Sequence, residues 1–214
     1  MPRSGRAQSL SQEEVVTAAL GLIRDRGMSG LTMRAVAQRL GVTPMAVYYY
    51  VQDKDDLLRL VSQRISTSWI PLRTGEGGGW EEALRLHLTS MWEVLSRYQG
   101  LGSFLIEQPS LGVTSHTVRN GIAFFEAAGF DRVKAQLAWS FAYTYIHGRI
   151  SVDAHLGHRA EAPRLEGLRA HDYVEFGIEA VIAGLRALRD AEPAEWARAA
   201  GTVPSSWSES AGGG

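Results

Sequence analysis

The stretch from Leu31 to Lys54, LTMRAVAQRLGVTPMAVYYYVQDK, constrains this chain most, because it packs the start and stop signals of two short helices around one tight turn. Thr32 is a natural N-cap, whose hydroxyl accepts from an orphan backbone N–H, and Val36, Ala37 and Leu40 follow at helical spacing. Gly41 ends this helix, since the sharp turn after it calls for a left-handed backbone that a residue without Cβ adopts freely. Thr43 then caps a second helix and Pro44 takes its first position, where the missing N–H costs nothing.

Val47 and Val51 lie one turn apart in this second helix and face inward, so Met45, Tyr49 and Gln52 point the opposite way. A surface helix normally carries charge outside. One that shows Pro44, Met45, Ala46, Tyr48, Tyr49 and Tyr50 is built to dock, and thymine methyls and phosphates suit small apolar side chains and tyrosine hydroxyls. Asp53 caps the next helix and Lys54 heads it, within reach of a phosphate, while Asp55 and Asp56 complement its dipole. The plainer reading is a three-helix core with the Tyr run as packing.

The pattern LT-x-R-x-x-A-x-x-LGV, followed by Tyr48, an aromatic pair, Val51 and Lys54, resembles the DNA-binding domain of the tetracycline-repressor (TetR) family. The resemblance implies that Thr43, Pro44, Met45, Ala46 and Tyr49 meet base edges, while Thr32, Tyr48, Tyr50 and Lys54 hold phosphates. Arg34 is the candidate for a guanine contact because its planar fork matches O6 and N7 together, with a phosphate contact as the alternative. Pro, Met and Ala stand where polar readers often sit, so readout is expected to lean on thymine methyls and shape.

The remaining sequence fits an all-α fold in which this helix-turn-helix domain, 11–70, precedes a helical effector-binding and dimerisation domain, 71–190. A basic arm, 1–10, is expected to be flexible, either touching DNA or simply a frayed terminus, and a tail rich in Ala, Pro, Ser and Gly, 191–214, to be disordered. Ser11 with Glu14 forms a capping box for a support helix ending near Gly27. The helix begun at Asp53 runs to about Trp69, where Pro71 stops it; in the TetR family this helix links the two domains. The four glycines of Thr74 to Gly79 mark the domain boundary.

Further helices are expected over Trp80–Tyr98, Thr114–Ala128, Arg132–His155 and from a cap at Asp172, with a short apolar turn around Gly100–Ile106 and a polar loop over Leu156–His171. The helix from Arg132 has little polar surface, and the last carries Gly177, Ala180, Gly184 and Ala187 on thin faces. That combination suits a dimer seam, and the family resemblance implies that 132–155 and 173–188 pair across a two-fold axis as a four-helix bundle. Phe176, Gly177, Gly184 and Leu185 carry the likeness to a tetracycline-repressor-type last helix.

His87, Met91, Trp92, Phe104, Trp139, Tyr143 and His147, with Tyr98 and Phe125 nearby, are either core or the wall of an effector site. Trp69 or Ile70 and Phe104 fall where the tetracycline repressors place metal-binding His, so a metal–drug complex is disfavoured and an apolar or aromatic effector expected. His155 and His158 near Asp153 make a weak metal grouping at a helix end, better read as favourable to the dipole. No metal and no cofactor is expected.

Net charge is −1, yet residues 1–60 carry eight Lys/Arg against six Asp/Glu and the remainder is net −3, a modest local basic footprint. The absence of cysteine removes disulfides and thiolate chemistry, and neither a signal peptide nor a membrane span is visible, so a cytoplasmic protein is expected. No hydrolase, nucleotide-binding or metalloprotease motif occurs, and an enzyme has no support. The reading is a homodimeric, ligand-responsive repressor on a palindromic operator. The alternatives are a ligand-independent DNA-binding protein or an activator of the same fold.

Overall fold

The computed structural model describes residues 10–73, 79–107, 113–157 and 167–191, and all regular structure among them is helical. The elements are α1 (Gln12–Arg26), a 3-10 turn (Met28–Gly30), α2 (Met33–Leu40), α3 (Pro44–Tyr48), α4 (Lys54–Ser66), α5 (Trp80–Leu95), α6 (Leu101–Glu107), α7 (Val113–Ala127), α8 (Arg132–Gly157) and α9 (Ala170–Asp190). The basic arm, the glycine run at 74–78, the break at Pro109, the loop 158–166 and the tail with Trp196 and Trp207 lie outside the described residues.

The first four helices enclose a small core of Val15, Ala19, Leu22 and Ile23 from α1, Leu31, Val36 and Ala37 around α2, Val47 and Val51 around α3, and Leu57, Val61 and Ile65 from α4. Each buried Leu, Ile or Val contributes about 1.5–3 kcal/mol. The caps read from the sequence are formed: Ser11 and Glu14 make their capping box, and the Thr32 hydroxyl accepts from Ala35 N at 3.1 Å. Gly41, at φ 68 and ψ 27, adopts the left-handed conformation that the turn requires.

Several expected boundaries shift, among them the end of α3 at Tyr48, short of Val51, and the end of α5 at Leu95 rather than Tyr98. α4 ends at Ser66 rather than near Trp69, because the hydroxyls of Ser66, Thr67 and Ser68 donate to the carbonyls of Gln63, Arg64 and Arg64 and satisfy the helix end early. Residues 101–107 form a helix and not merely an apolar turn; Leu101 and Leu105 are buried. α9 begins at Ala170, and Asp172 is not its N-cap: its carboxylate reaches back to accept from Arg169 N at 2.6 Å.

α8 is the centre of the C-terminal part, packed against α5, α6, α7 and α9. Its Ala135, Ala138 and Ala142 are buried, and these short side chains let the neighbours approach. Trp80, Phe125 and Phe130 close one end with ring centroids 5.1–6.1 Å apart. α5 and α9 are tied at their surface by Arg85 to Glu179, at 2.5 and 3.1 Å, and by Arg186 to Glu81 at 3.2 Å.

Gly177 does not keep an outer face thin. The hydroxyl end of Tyr145 from α8 fills the place of its Cβ, and that hydroxyl shares its proton between the carbonyls of Tyr173 and Val174, each at 3.2 Å. Gly184 instead faces open space beside the exposed Ala180 and Ala187.

Candidate functional site

α3 is short because its start is strong and its end is tightened. Thr43 Oγ1 accepts from Ala46 N at 3.3 Å, and Tyr50 N donates to Val47 O at 3.0 Å in an i to i+3 bond. Val47 and Val51 are 0% and 2% exposed, whereas Met45 is 69% and Tyr49 84% exposed, so one short helix carries a dry side and an apolar side open to solvent. Thr43, Pro44 and Tyr48 are also exposed beside them, and Ala46 is half-buried.

Thr32, Arg34 and Lys54 are exposed on the helices flanking α3. The hydroxyls of Thr32 and Thr43 act as acceptors in their caps, which leaves each with its proton to donate outward. Tyr50 differs from its neighbours: it is half-buried against the core, and its carbonyl accepts from Gln12 Nε2 at 3.0 Å. Gln12 therefore fixes the end of α3 from the start of α1, a role that no local pattern announces because the residues stand 38 apart.

Asp56 also does more than complement a dipole. It accepts from Gln52 N at 3.0 Å while Asp53 Oδ1 accepts from Asp56 N at 2.8 Å, so the two carboxylates lock the turn between α3 and α4 reciprocally. The Gln52 amide, and then the Arg59 guanidinium at 2.6 Å, hold the Asp56 carboxyl below its usual range. Arg39 is engaged by Asp25 at 2.8 Å, which lowers that carboxyl in turn.

In the C-terminal part the structure brings together most of the aromatic candidates. Trp139, Tyr143 and His147 recur every four residues along α8, with ring centroids 5.0 and 4.1 Å apart, and His87 of α5 stands 6.4 Å from Trp139. Met91 is buried in the same core, with Phe104 half-buried against it. Gly121 of α7 makes room for the Trp139 indole, which occupies the place of a Cβ there. Trp92 is drawn away: its Nε1 donates to Asp153 at 2.9 Å, and Asp153 is also paired with Arg149.

His87 Nδ1 lies 2.6 Å from the carbonyl of Ile70, which only accepts, so Nδ1 carries the proton and Nε2 is a bare lone pair. That Nε2, and both ring nitrogens of His147, are buried without a hydrogen-bond partner among the described residues. Burial pushes His147 down to about 4 and also lowers His87, so both imidazoles are neutral at physiological pH; the Tyr143 phenol is pushed up to about 12. No group of three or more His, Cys, Asp or Glu that would hold a metal occurs among the described residues. Asp153 is engaged as above, and the side chains of His155 and His158 lie outside them.

Residues 15–61 match the family described as bacterial regulatory proteins, tetR family. An HTH-type transcriptional regulator of Saccharopolyspora erythraea is 26% identical over 163 residues, 76% of this chain and 69% of that protein. An HTH-type transcriptional repressor of Mycobacterium tuberculosis is 28% identical over 145 residues, 67% of this chain, so the chain spans only 54% of that relative's length. A TetR variant of Acinetobacter baumannii, solved in complex with minocycline, superposes with a TM-score of 0.68 and 25% identity over 85% of this chain and 99% of its own. BioQ, solved with its double-stranded DNA operator, shares the fold with a TM-score of 0.63 and 24% identity over 83% of this chain and 99% of its own. The helix-turn-helix is thus matched in sequence to the tetR family of bacterial regulatory proteins, and the likeness in fold to a solved TetR variant extends over both parts of the chain.

Proposed function

We propose that this regulator is a ligand-responsive repressor that binds a palindromic operator as a homodimer and is released by an aromatic effector. The observation that carries the DNA reading is the exposure of Met45 and Tyr49 on a helix whose other side is fully buried. Residues 11–70 form the reading domain. Arg34, Thr43, Pro44, Met45, Ala46 and Tyr49 meet base edges, while Thr32, Tyr48 and Lys54 hold phosphates. Tyr50, half-buried, is the remaining phosphate candidate.

Residues 71–190 carry the effector and the partner subunit. On α8, Val133, Leu137, Phe141 and Val152 are exposed, and on α9 Phe176 and Leu188 are, although both helices are apolar enough to be covered. Phe130, Leu137, Phe141, Leu185 and Leu188 border an open groove of 420 Å³ beside this face. A second copy of α8 and α9 packed there supplies the missing cover, and two reading heads then meet successive major grooves about 34 Å apart. The complexes of related folds with minocycline and with an operator support a protein that takes both kinds of partner.

An effector among Trp139, Tyr143 and His147 acts by preferring the arrangement of α8 and its neighbours in which the reading heads no longer fit both grooves. No enzymatic step is part of this function. Among the described residues no helix is long and apolar enough to cross a membrane, which accords with a cytoplasmic site of action. The test is selection of bound sequences from a random DNA pool by the full chain at several salt concentrations. A palindrome with half-sites about one turn apart or more is expected. Recovery of no preferred sequence overturns the reading.

A further inference from the structure

The chain carries 22 Lys and Arg, yet only two of them are lysine, Lys54 and Lys134. Their surroundings are opposite. Lys134 on α8 is 8% exposed; its Nζ donates to the carbonyls of Arg189 and Ala191 at 3.3 and 2.8 Å and lies 3.7 Å from Asp131. Lys54, the first residue of α4, is exposed and takes part in no hydrogen bond or ion pair among the described residues. One lysine amine is therefore accessible, and it stands beside α3.

Its charge has no local substitute. From Leu40 to Leu58, across α3 and the start of α4, Lys54 is the only cation, and Asp53, Asp55 and Asp56 lie around it. The nearest arginines in sequence are engaged: Arg39 pairs with Asp25 at 2.8 Å and Arg59 with Asp56 at 2.6 Å. Lys54 and Arg59 against the three aspartates make this corner net −1, and without the lysine charge it is net −2. A phosphate that meets an ammonium here would then meet only carboxylates.

Lysine and arginine also differ in reactivity. A guanidinium keeps its proton, whereas an ammonium can release one and leave an amine that attacks an activated acyl carbon. An acyl phosphate suits this place, because its anionic phosphoryl group is the chemistry that Lys54 is read as holding in DNA. In the reaction the Lys54 nitrogen bonds to the acyl carbon and the bond from that carbon to the phosphate oxygen breaks. Inorganic phosphate leaves with the electron pair. Of the two protons that the nitrogen gives up, one goes to solvent and one to the departing phosphate. The product is a neutral amide.

We propose that Lys54 is an acylation site for small acyl phosphates, and that its neutralisation lowers affinity for DNA without any molecule bound in the C-terminal part. This rests on the reading of Lys54 as a phosphate contact. It adds a covalent control through a single residue, and DNA bound there shields the amine.

Incubation of the full-length chain with acetyl phosphate, followed by peptide mass mapping and DNA titration at several salt concentrations, tests it. The DNA is the operator recovered by selection and, in parallel, a random duplex of equal length. Lys54 is expected to carry the acetyl group and Lys134 to remain unmodified, with less acetylation when DNA is present. Acetylation should weaken binding to both duplexes several-fold and reduce the slope of log K against log salt by about 0.9. Lys54→Gln should reproduce the weakening without the reagent. Lys54→Arg, which keeps the charge and is not acylated, should bind more tightly than Lys54→Gln, and its affinity should not respond to acetyl phosphate.

A Lys54 left unmodified under conditions that acetylate the lysine of a short unstructured peptide overturns the proposal; weak binding by Lys54→Gln would still uphold the phosphate contact. Equal DNA binding by the acetylated and the unaltered chain overturns both. Loss of binding in treated Lys54→Arg assigns the effect to another amine and overturns the proposal as well.

Discussion

The backbone amide of Met28 donates to the carbonyl of Gln99 across 3.1 Å, joining the turn that leads into α2 to the turn between α5 and α6. Glycines flank both ends of this bond. Gly27 is at φ 70, and Gly100, at φ 78, faces the Met28 side chain. The helices α1 to α3 are therefore held to the C-terminal part by this bridge as well as through α4, and α6, which follows the bridge, packs on α8 beside His147.

Replacing Gly100 with Val should strain this bridge at both the positive φ and the Met28 contact, at roughly 1–2 kcal/mol. A lower urea midpoint with unchanged m-value is the expected result. An unchanged midpoint would show that the turn relaxes freely and carries no mechanical role.

Tyr49→Ala should reduce affinity for the selected operator about tenfold or more while changing stability by less than about 0.5 kcal/mol, because the ring is 84% exposed. Val47→Ala, on the dry side of the same helix, should do the reverse in emphasis and cost roughly 2 kcal/mol of folding stability. Electrophoretic mobility shifts and denaturant titrations separate the two, and equal operator binding by the Tyr49 variant sinks the assignment of that face to DNA.

Phe141→Asp places a charge on the exposed face of α8 beside Leu137. In a lone chain this surface change would be nearly silent, but across a dimer seam it buries an unpaired carboxylate. Sedimentation should show monomers at concentrations where the unaltered chain is dimeric, with loss of operator binding. A variant that stays dimeric rules out this surface as the seam.

Stability should fall as the pH drops below about 6.5, the unfolded histidine value. In the folded chain His147 is held down to about 4 and His87 is lowered, so between those values the unfolded state binds more protons. The contribution is fully present above pH 6.5 and is lost as pH falls toward 4, worth roughly 3 kcal/mol for His147 across that window. Urea midpoints at pH 7 and pH 5 should differ clearly in the unaltered chain and less in His147→Phe; an identical slope in both means that other groups govern the acid limb.

Gly121→Ala should be costly although it lies in a helix, where Ala is ordinarily favoured. Its Cβ would collide with the Trp139 indole, so about 1–3 kcal/mol of overpacking strain is expected, read as a lower melting temperature. A stabilised protein would mean that the indole has room to move.

Much of the reading domain was legible locally. Thr32, Gly41, Thr43, Pro44 and Asp53 each set a boundary through their own backbone preferences, and alternation of Val47 and Val51 with Met45 and Tyr49 is enough to tell the dry side from the open one. The hydroxyl-rich end of α4 and the helix at Leu101 depart from simple periodicity because short-range bonds and tertiary burial, respectively, outweigh it there. The likeness to TetR regulators was likewise carried by motif residues close together in the chain.

Local sequence dictates most of the helices and the chemistry of the face that α3 shows to solvent, since caps and periodicity act over a few residues. Which side chains meet across helices depends on how the helices pack: Gln12 with the end of α3, Tyr145 against Gly177, Trp92 with Asp153, and His87 and His147 with ring nitrogens that have no partner among the described residues. Those contacts join positions tens of residues apart, where the position of one helix against another selects the partner and neither residue carries a local mark of it.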